Sequence, residues 1–139
     1  EVVNGITAGL GVPAAVGIPV THRDHCHGVT LVTGHSRSNE PPNWHALAHS
    51  GTTLVIYMGV STLATVAEGL QGAGMAAGTP VAVVQDGTLP SQRSVVTTLG
   101  AAVDAVAQAR IASPAIIVVG EVARFAAVTD IAAAVRQVA

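Results

Sequence analysis

Six histidines, one cysteine and eight singly scattered carboxylates are the groups in this 139-residue sequence that can hold a metal or move a proton. They concentrate in His22-Arg23-Asp24-His25-Cys26-His27, with His35, His45 and His49 further on. Imidazole and thiolate are the ligands zinc prefers. A structural zinc site, however, takes closely spaced ligand pairs in both of its halves, and with one cysteine no Cys pair exists here. Adjacent Cys26 and His27 would also point to opposite sides of an extended strand. Two readings stand, a metal site and a polar loop whose histidines face solvent or a ligand; the spacing favours the loop, and no metal is expected.

Other chemistries have less to build on. Cys26 can serve as a nucleophile only if a base folds against it, which sequence neighbours seldom supply; a half-buried spectator is the alternative. The carboxylates do not pair for acid/base work. No GxGxxG run occurs, and without a lysine no lysine-bearing phosphate loop is possible. What remains are glycine-ended apolar runs, Tyr57-Met58-Gly59 and Gln85-Asp86-Gly87-Thr88. In open α/β sheets ligands bind beyond the carboxyl ends of strands, where glycine lets backbone come close. Met58 is apolar and polarizable, suited to a ligand with an aromatic base and a sulfur. A plain turn and a core methionine are the competing readings.

The elements that must carry these residues are of two kinds. Short β-branched runs at 29–33, 52–57, 80–85 and 115–119 each end near a glycine, as buried strands do. Between them, Leu63, Val66, Ala67 and Leu70 follow helical spacing behind Ser61, and Val96, Leu99, Val103 and Val106 follow a 3-4-3 spacing behind Ser91 and Ser94. Ile131, Ala134, Val135 and Val138 repeat the pattern behind Thr129-Asp130. Strands alternating with helices imply an α/β sheet with crossover helices. At the start, Val2-Val3 and the Asn4-Gly5 turn suggest a strand feeding a short helix packed from Ala and Gly. The chain opens on Glu1 and reads like the end of a strand from something longer. Residues 36–42 are the most loop-like stretch.

Half the residues are apolar, 25 of them Ala and 23 Val, with one each of Trp, Tyr and Phe. Mean hydropathy is +0.55 and the formal charge −2, so the basic surface that grips nucleic acid or an acidic membrane is lacking. No apolar run reaches the roughly 18 residues of a membrane span. A lone cysteine cannot close an internal disulfide and fits a reducing compartment. The expectation is a cytoplasmic protein with neither nucleic-acid nor membrane partners.

Five segments in order resemble the S-adenosylmethionine-dependent tetrapyrrole methyltransferases: VVNGITAGLGVPAAVGIPVTHRDH at 2–25, LVTGH at 31–35, TLVIYMG at 53–59, GTPVAVVQDGT at 78–88 and SPAIIVVGEV at 113–122. GIPVTHR favours the branch acting on uroporphyrinogen III, with stand-alone tetrapyrrole- or nucleoside-binding modules and related precorrin methyltransferases as alternatives. The resemblance implies two α/β domains, a donor cleft between them and a homodimer. This chain matches the C-terminal half: a mixed sheet flanked by helices at 20–139, preceded at 1–19 by the last strand and helix of an N-terminal domain that lies upstream together with the acid/base residues. No catalytic residue is thus expected here. Asn4 stands where the family usually has proline, and Gln85-Asp86 where it has an acidic residue and asparagine.

Residue by residue, the resemblance implies donor contacts at Thr7, Ala8, Met58 and Gly87, with Ala115 beside them. It places His22 and Arg23 near the tetrapyrrole, where an arginine can pair with propionates through forked hydrogen bonds. The implied reaction is methyl transfer from S-adenosylmethionine to uroporphyrinogen III, giving precorrin-2 on the way to sirohaem or cobalamin. On this reading, Met58→Ala and Gly87→Val weaken donor binding with little change in folding.

Overall fold

A computed structural model of the chain describes residues 1–35 and 40–126. Five strands, β1 (Val29–Thr33), β2 (Thr53–Tyr57), β3 (Pro80–Gln85), β4 (Arg93–Thr98) and β5 (Ala115–Val119), form one sheet in the order β1-β2-β5-β3-β4. β1 and β2 are parallel; β5 runs antiparallel to both β2 and β3, and β4 antiparallel to β3. The carboxyl ends of β1, β2 and β3 therefore share one end of the sheet with the starts of β4 and β5. The expected mixed α/β sheet flanked by helices is the one observed.

Period-two alternation divides the strands between two cores. Leu54, Ile56, Val81, Val83, Ile117 and Val119 face helices α3 (Leu63–Gly72) and α4 (Ala102–Gln108). All four apolar residues expected to face the core from α3 are buried. Trp44, on the short helix α2 (Trp44–Ala48), lies against Gly69, where even a β-carbon would stand 2.5 Å from its indole nitrogen. The opposite set, Val55, Ala82, Val84, Ile116 and Val118, packs with Val12 of helix α1 (Ala8–Ala15) and with Val16 and Ile18 beyond it. α1 contains two glycines and an internal Pro13, so its own propensity is poor and burial must hold it.

Two expectations are corrected. Residues 93–98 form a strand, not the start of a helix. Val95, Val96, Thr97 and Thr98 are consecutive β-branched residues and pair along β3, so pleated packing wins. Leu99 and Val106 are buried, but Val96 and Val103 are exposed, which breaks the 3-4-3 stripe. At the start, Glu1–Ile6 is irregular; among the described residues Val2 and Val3 pair with no strand, and they are 92% and 85% exposed. The last expected helix, carrying Ile131, Ala134, Val135 and Val138, lies outside the described residues, as does most of the loop at 36–42.

Candidate functional site

Where β2 and β3 end, the backbone bends sharply. Met58, Asp86 and Thr88 have φ of 53°, 50° and 71°, left-handed values that cost a residue other than glycine about 1 kcal/mol or more. Between the last two sits Gly87, pressed on α1. A β-carbon there would stand 2.5 Å from Val12 Cγ1, so only glycine lets helix and turn meet. The expectation that Gly87→Val spares the fold is therefore corrected: a valine at this position displaces α1.

Tyr57, the chain's one tyrosine, joins the same helix to the end of β2. Its hydroxyl accepts the Gly9 N–H at 2.6 Å and makes a short hydrogen bond with Thr7 Oγ1. Thr7 precedes α1 but makes no side-chain cap, and the phenol instead satisfies one of the free N–H groups of the first turn. A β-carbon on Gly9 would overlap that phenol, so the second glycine of α1 also serves a close approach. On the other side, Gln85 accepts the Ala112 N–H at 2.8 Å and donates to Asp86 Oδ2 at 3.1 Å, while Asp86 N–H donates to Pro114 O at 3.0 Å. These bonds fasten the turn after β3 to the segment entering β5, whose Ser113–Pro114 bond is cis.

Together these turns enclose a cleft of about 400 Å³, within the usual range of small-molecule sites. Its walls are mainly apolar, with Met58, Val84, Leu89, Pro114 and Ile116 among them, and Tyr57, Ser113 and Asp86 supply the polar side chains. Four of the residues singled out from sequence, Ala8, Met58, Gly87 and Ala115, line this one cleft. Thr7 adjoins it through Tyr57. Sequence reasoning named the Tyr57-Met58-Gly59 run but missed the role of the Tyr57 hydroxyl and the close approaches of Val12 and Gly9. The sole tyrosine, ending a buried strand just before a suspected ligand turn, was the available signal.

His22 and Arg23 are not brought to the cleft. They lead into β1 at the other end of the sheet, and β2 alone separates the two ends by about 13 Å. The His22 ring lies 4.7 Å from His25 and 5.3 Å from Phe125, centroid to centroid, and its Nδ1 accepts the Asp24 N–H at 3.2 Å. Among the described residues no three His, Cys, Asp or Glu side chains converge as a metal site would need. Cys26 Sγ accepts from the Thr53 hydroxyl at 3.4 Å and the His22 N–H at 3.3 Å. Burial pushes its thiol pKa up, but these bonds and backbone N–H groups outweigh it and leave the pKa below the ordinary value. No imidazole is among these partners, so the base that a cysteine nucleophile requires is not placed beside it.

The sequence profile of the tetrapyrrole (corrin/porphyrin) methylases matches residues 1–103. Over 124 residues the chain is 50% identical to a uroporphyrinogen-III C-methyltransferase of Pseudomonas aeruginosa, covering 89% of this chain and 51% of that protein. It is 49% identical over 122 residues to a siroheme synthase of Edwardsiella ictaluri, covering 88% and 26%. A solved uroporphyrin-III C-methyltransferase from Thermus thermophilus, complexed with S-adenosylhomocysteine, superposes with a TM-score of 0.73 at 31% identity, over 89% of this chain and 53% of that one. A cobalt precorrin-4 methyltransferase gives 0.80 at 27% identity, over 88% and 52%. The chain spans about half the length of the curated C-methyltransferases it matches.

Proposed function

The chain belongs to the tetrapyrrole (corrin/porphyrin) methylase family, and on that premise we propose that it is the C-terminal part of a methyltransferase that carries methyl from S-adenosylmethionine to uroporphyrinogen III. The observation that carries this reading is the convergence of Ala8, Met58, Gly87 and Ala115 on one apolar cleft. The 50% identity to a uroporphyrinogen-III C-methyltransferase supports the substrate. A precorrin is the second reading, favoured by the 0.80 superposition. At 27% identity that superposition speaks more for fold than for substrate, and uroporphyrinogen III is preferred.

The cleft fits the donor. Its volume suits a nucleoside-sized ligand, its apolar walls and the Met58 thioether suit an aromatic base and a sulfur, and Gly87 keeps the wall low. When bound, S-adenosylmethionine supplies an electrophilic methyl group. Tyr57 fixes α1 to the end of β2 and so sets the spacing of the walls; the left-handed turns at Met58 and Asp86 hold backbone at the rim. The work of this half is thus to hold one reactant in attack geometry and keep water out. The other wall, and the groups that handle protons, belong in this proposal to a preceding α/β domain. Residues 1–19 close that domain and 20–139 form the second, with α1 as the joint between them. The assembly is a cytoplasmic homodimer feeding sirohaem or cobalamin synthesis, without a metal cofactor.

Calorimetric titration of S-adenosylhomocysteine into the intact protein and into this chain alone tests the reading, together with mass analysis of uroporphyrinogen III after incubation with the intact protein and donor. The intact protein is expected to bind and methylate, and the isolated chain to bind more weakly. Absence of binding by the intact protein overturns the reading. Equal affinity in the two overturns the split site.

A further inference from the structure

Among the described residues, Asp86 is the only charged side chain lining the cleft. Its carboxylate receives a hydrogen bond from the neutral Gln85 amide at 3.1 Å, and among the described residues it takes part in no ion pair. A negative charge beside mainly apolar walls is poorly compensated by its own surroundings and interacts strongly with a charge that enters. The position is rigidly held. Asp86 has φ of 50°, its N–H is bonded to Pro114 O, and Gln85 anchors the same turn to Ala112. The charge thus has a fixed place and, among the described residues, no ion-pair partner.

We propose that Asp86 makes the cleft selective for net positive charge, favouring the sulfonium donor over the neutral thioether left after transfer. This rests on the cleft being the donor site. As the new carbon–carbon bond forms, the methyl group leaves sulfur and the S–C electron pair stays behind, so the positive charge passes to the tetrapyrrole. Donor and spent donor share their adenosine and amino-acid parts and differ by the methyl group and that charge. A carboxylate fixed in the wall of a mainly apolar cleft discriminates between them at a distance, without direct contact with sulfur. Asp86 is then a specificity residue that holds the charged reactant and lets the uncharged product go.

The test uses the intact protein and the ratio of dissociation constants for S-adenosylhomocysteine and S-adenosylmethionine. Asp86→Asn keeps the shape and tolerates a left-handed backbone while removing the charge. The ratio is expected to shift about tenfold against the sulfonium ligand. In the unsubstituted protein, raising the salt concentration should move the ratio in the same direction, which supplies the answer should the variant fold poorly. If both ligands bind but the ratio withstands both Asp86→Asn and salt, or both affinities fall equally, charge selection is overturned. If neither ligand binds the unsubstituted protein, the donor-site reading fails first.

Discussion

At one end of the sheet the chain turns through left-handed Met58, Asp86 and Thr88, and a helix rests on Gly87; at the other, polar groups satisfy one another. There His27 N–H reaches Gly51 O, Thr53 N–H reaches Gly28 O, and hydroxyls pair between Thr30 and Thr52 and between Ser50 and Thr52. The same strands supply both ends, so the difference lies in the turns. The histidine-rich end uses its polar groups on itself. The cleft end accepts backbone strain, which persists only where surrounding packing over-determines it, and presents mainly apolar walls with a carboxylate, Asp86, that has no ion pair among the described residues. Residue type alone points to the first end for chemistry, and conformation points to the second.

The hardest blow to this contrast is Gly87→Val. The added atoms overlap Val12, and overpacking of this kind costs about 3 kcal/mol. Urea denaturation should show that loss together with loss of S-adenosylhomocysteine binding. A variant that keeps full stability would mean that α1 does not rest on this turn. Tyr57→Phe is gentler. It keeps the ring but leaves the buried Gly9 N–H without its acceptor, at about 1–2 kcal/mol. Donor affinity should fall with stability, because the same hydroxyl that caps α1 spaces the cleft walls. Unchanged affinity would confine Tyr57 to a structural role.

Much of this contrast was legible in the sequence, for reasons that differ by element. The strands at 29–33, 80–85 and 115–119 are short β-branched runs ended by glycine, and α3 carries an unbroken helical stripe; local pattern sufficed for both. β4 was not legible. Val96, Leu99, Val103 and Val106 imitate a stripe, and only the partner strand β3 shows that Val95–Thr98 is pleated. For the cleft, the turns at Met58 and Gly87 were visible as glycine-ended strands. Val12 and the Tyr57 hydroxyl were not, since each matters through a contact with a residue more than 40 positions away, and spacing along a chain carries no trace of such contacts. The location of the histidine cluster was not legible either. Its residue types advertise chemistry, while its place at the far end of the sheet is a property of topology.

At that far end, Thr53→Val tests whether the polar groups are satisfied internally. Valine keeps the β-branched shape in the strand but removes the hydroxyl donated to Cys26 Sγ, a loss of about 0.5–1 kcal/mol. The sign of the titration shift follows from the hydrogen bonds. They hold the folded thiol pKa below its ordinary value, so removing one raises it, and alkylation in mildly alkaline solution should slow. A thiol depressed in the folded state adds stability above its unfolded pKa and loses it as pH falls through the folded one. Melting at a pH below the folded thiol pKa should therefore register only the lost hydrogen bond. A faster alkylation rate would contradict the assigned geometry.

The smallest expected effect separates the two ends most sharply. Arg23→Ala and His22→Ala alter residues about 13 Å of strand away from the cleft, beyond a Debye length at ordinary ionic strength. The partners of His22 are Asp24, His25, Cys26 and Phe125, none of which lines the cleft. S-adenosylhomocysteine affinity should therefore stay within about twofold of the unsubstituted protein, since substitutions this far apart without shared partners act independently. Uroporphyrinogen III turnover decides whether the histidine-rich loop serves the second reactant. A raised KM for the tetrapyrrole with donor affinity unchanged would give His22 and Arg23 a separate substrate surface. A fall in donor affinity would show instead that the two ends are coupled through the sheet, and the division between them would not hold.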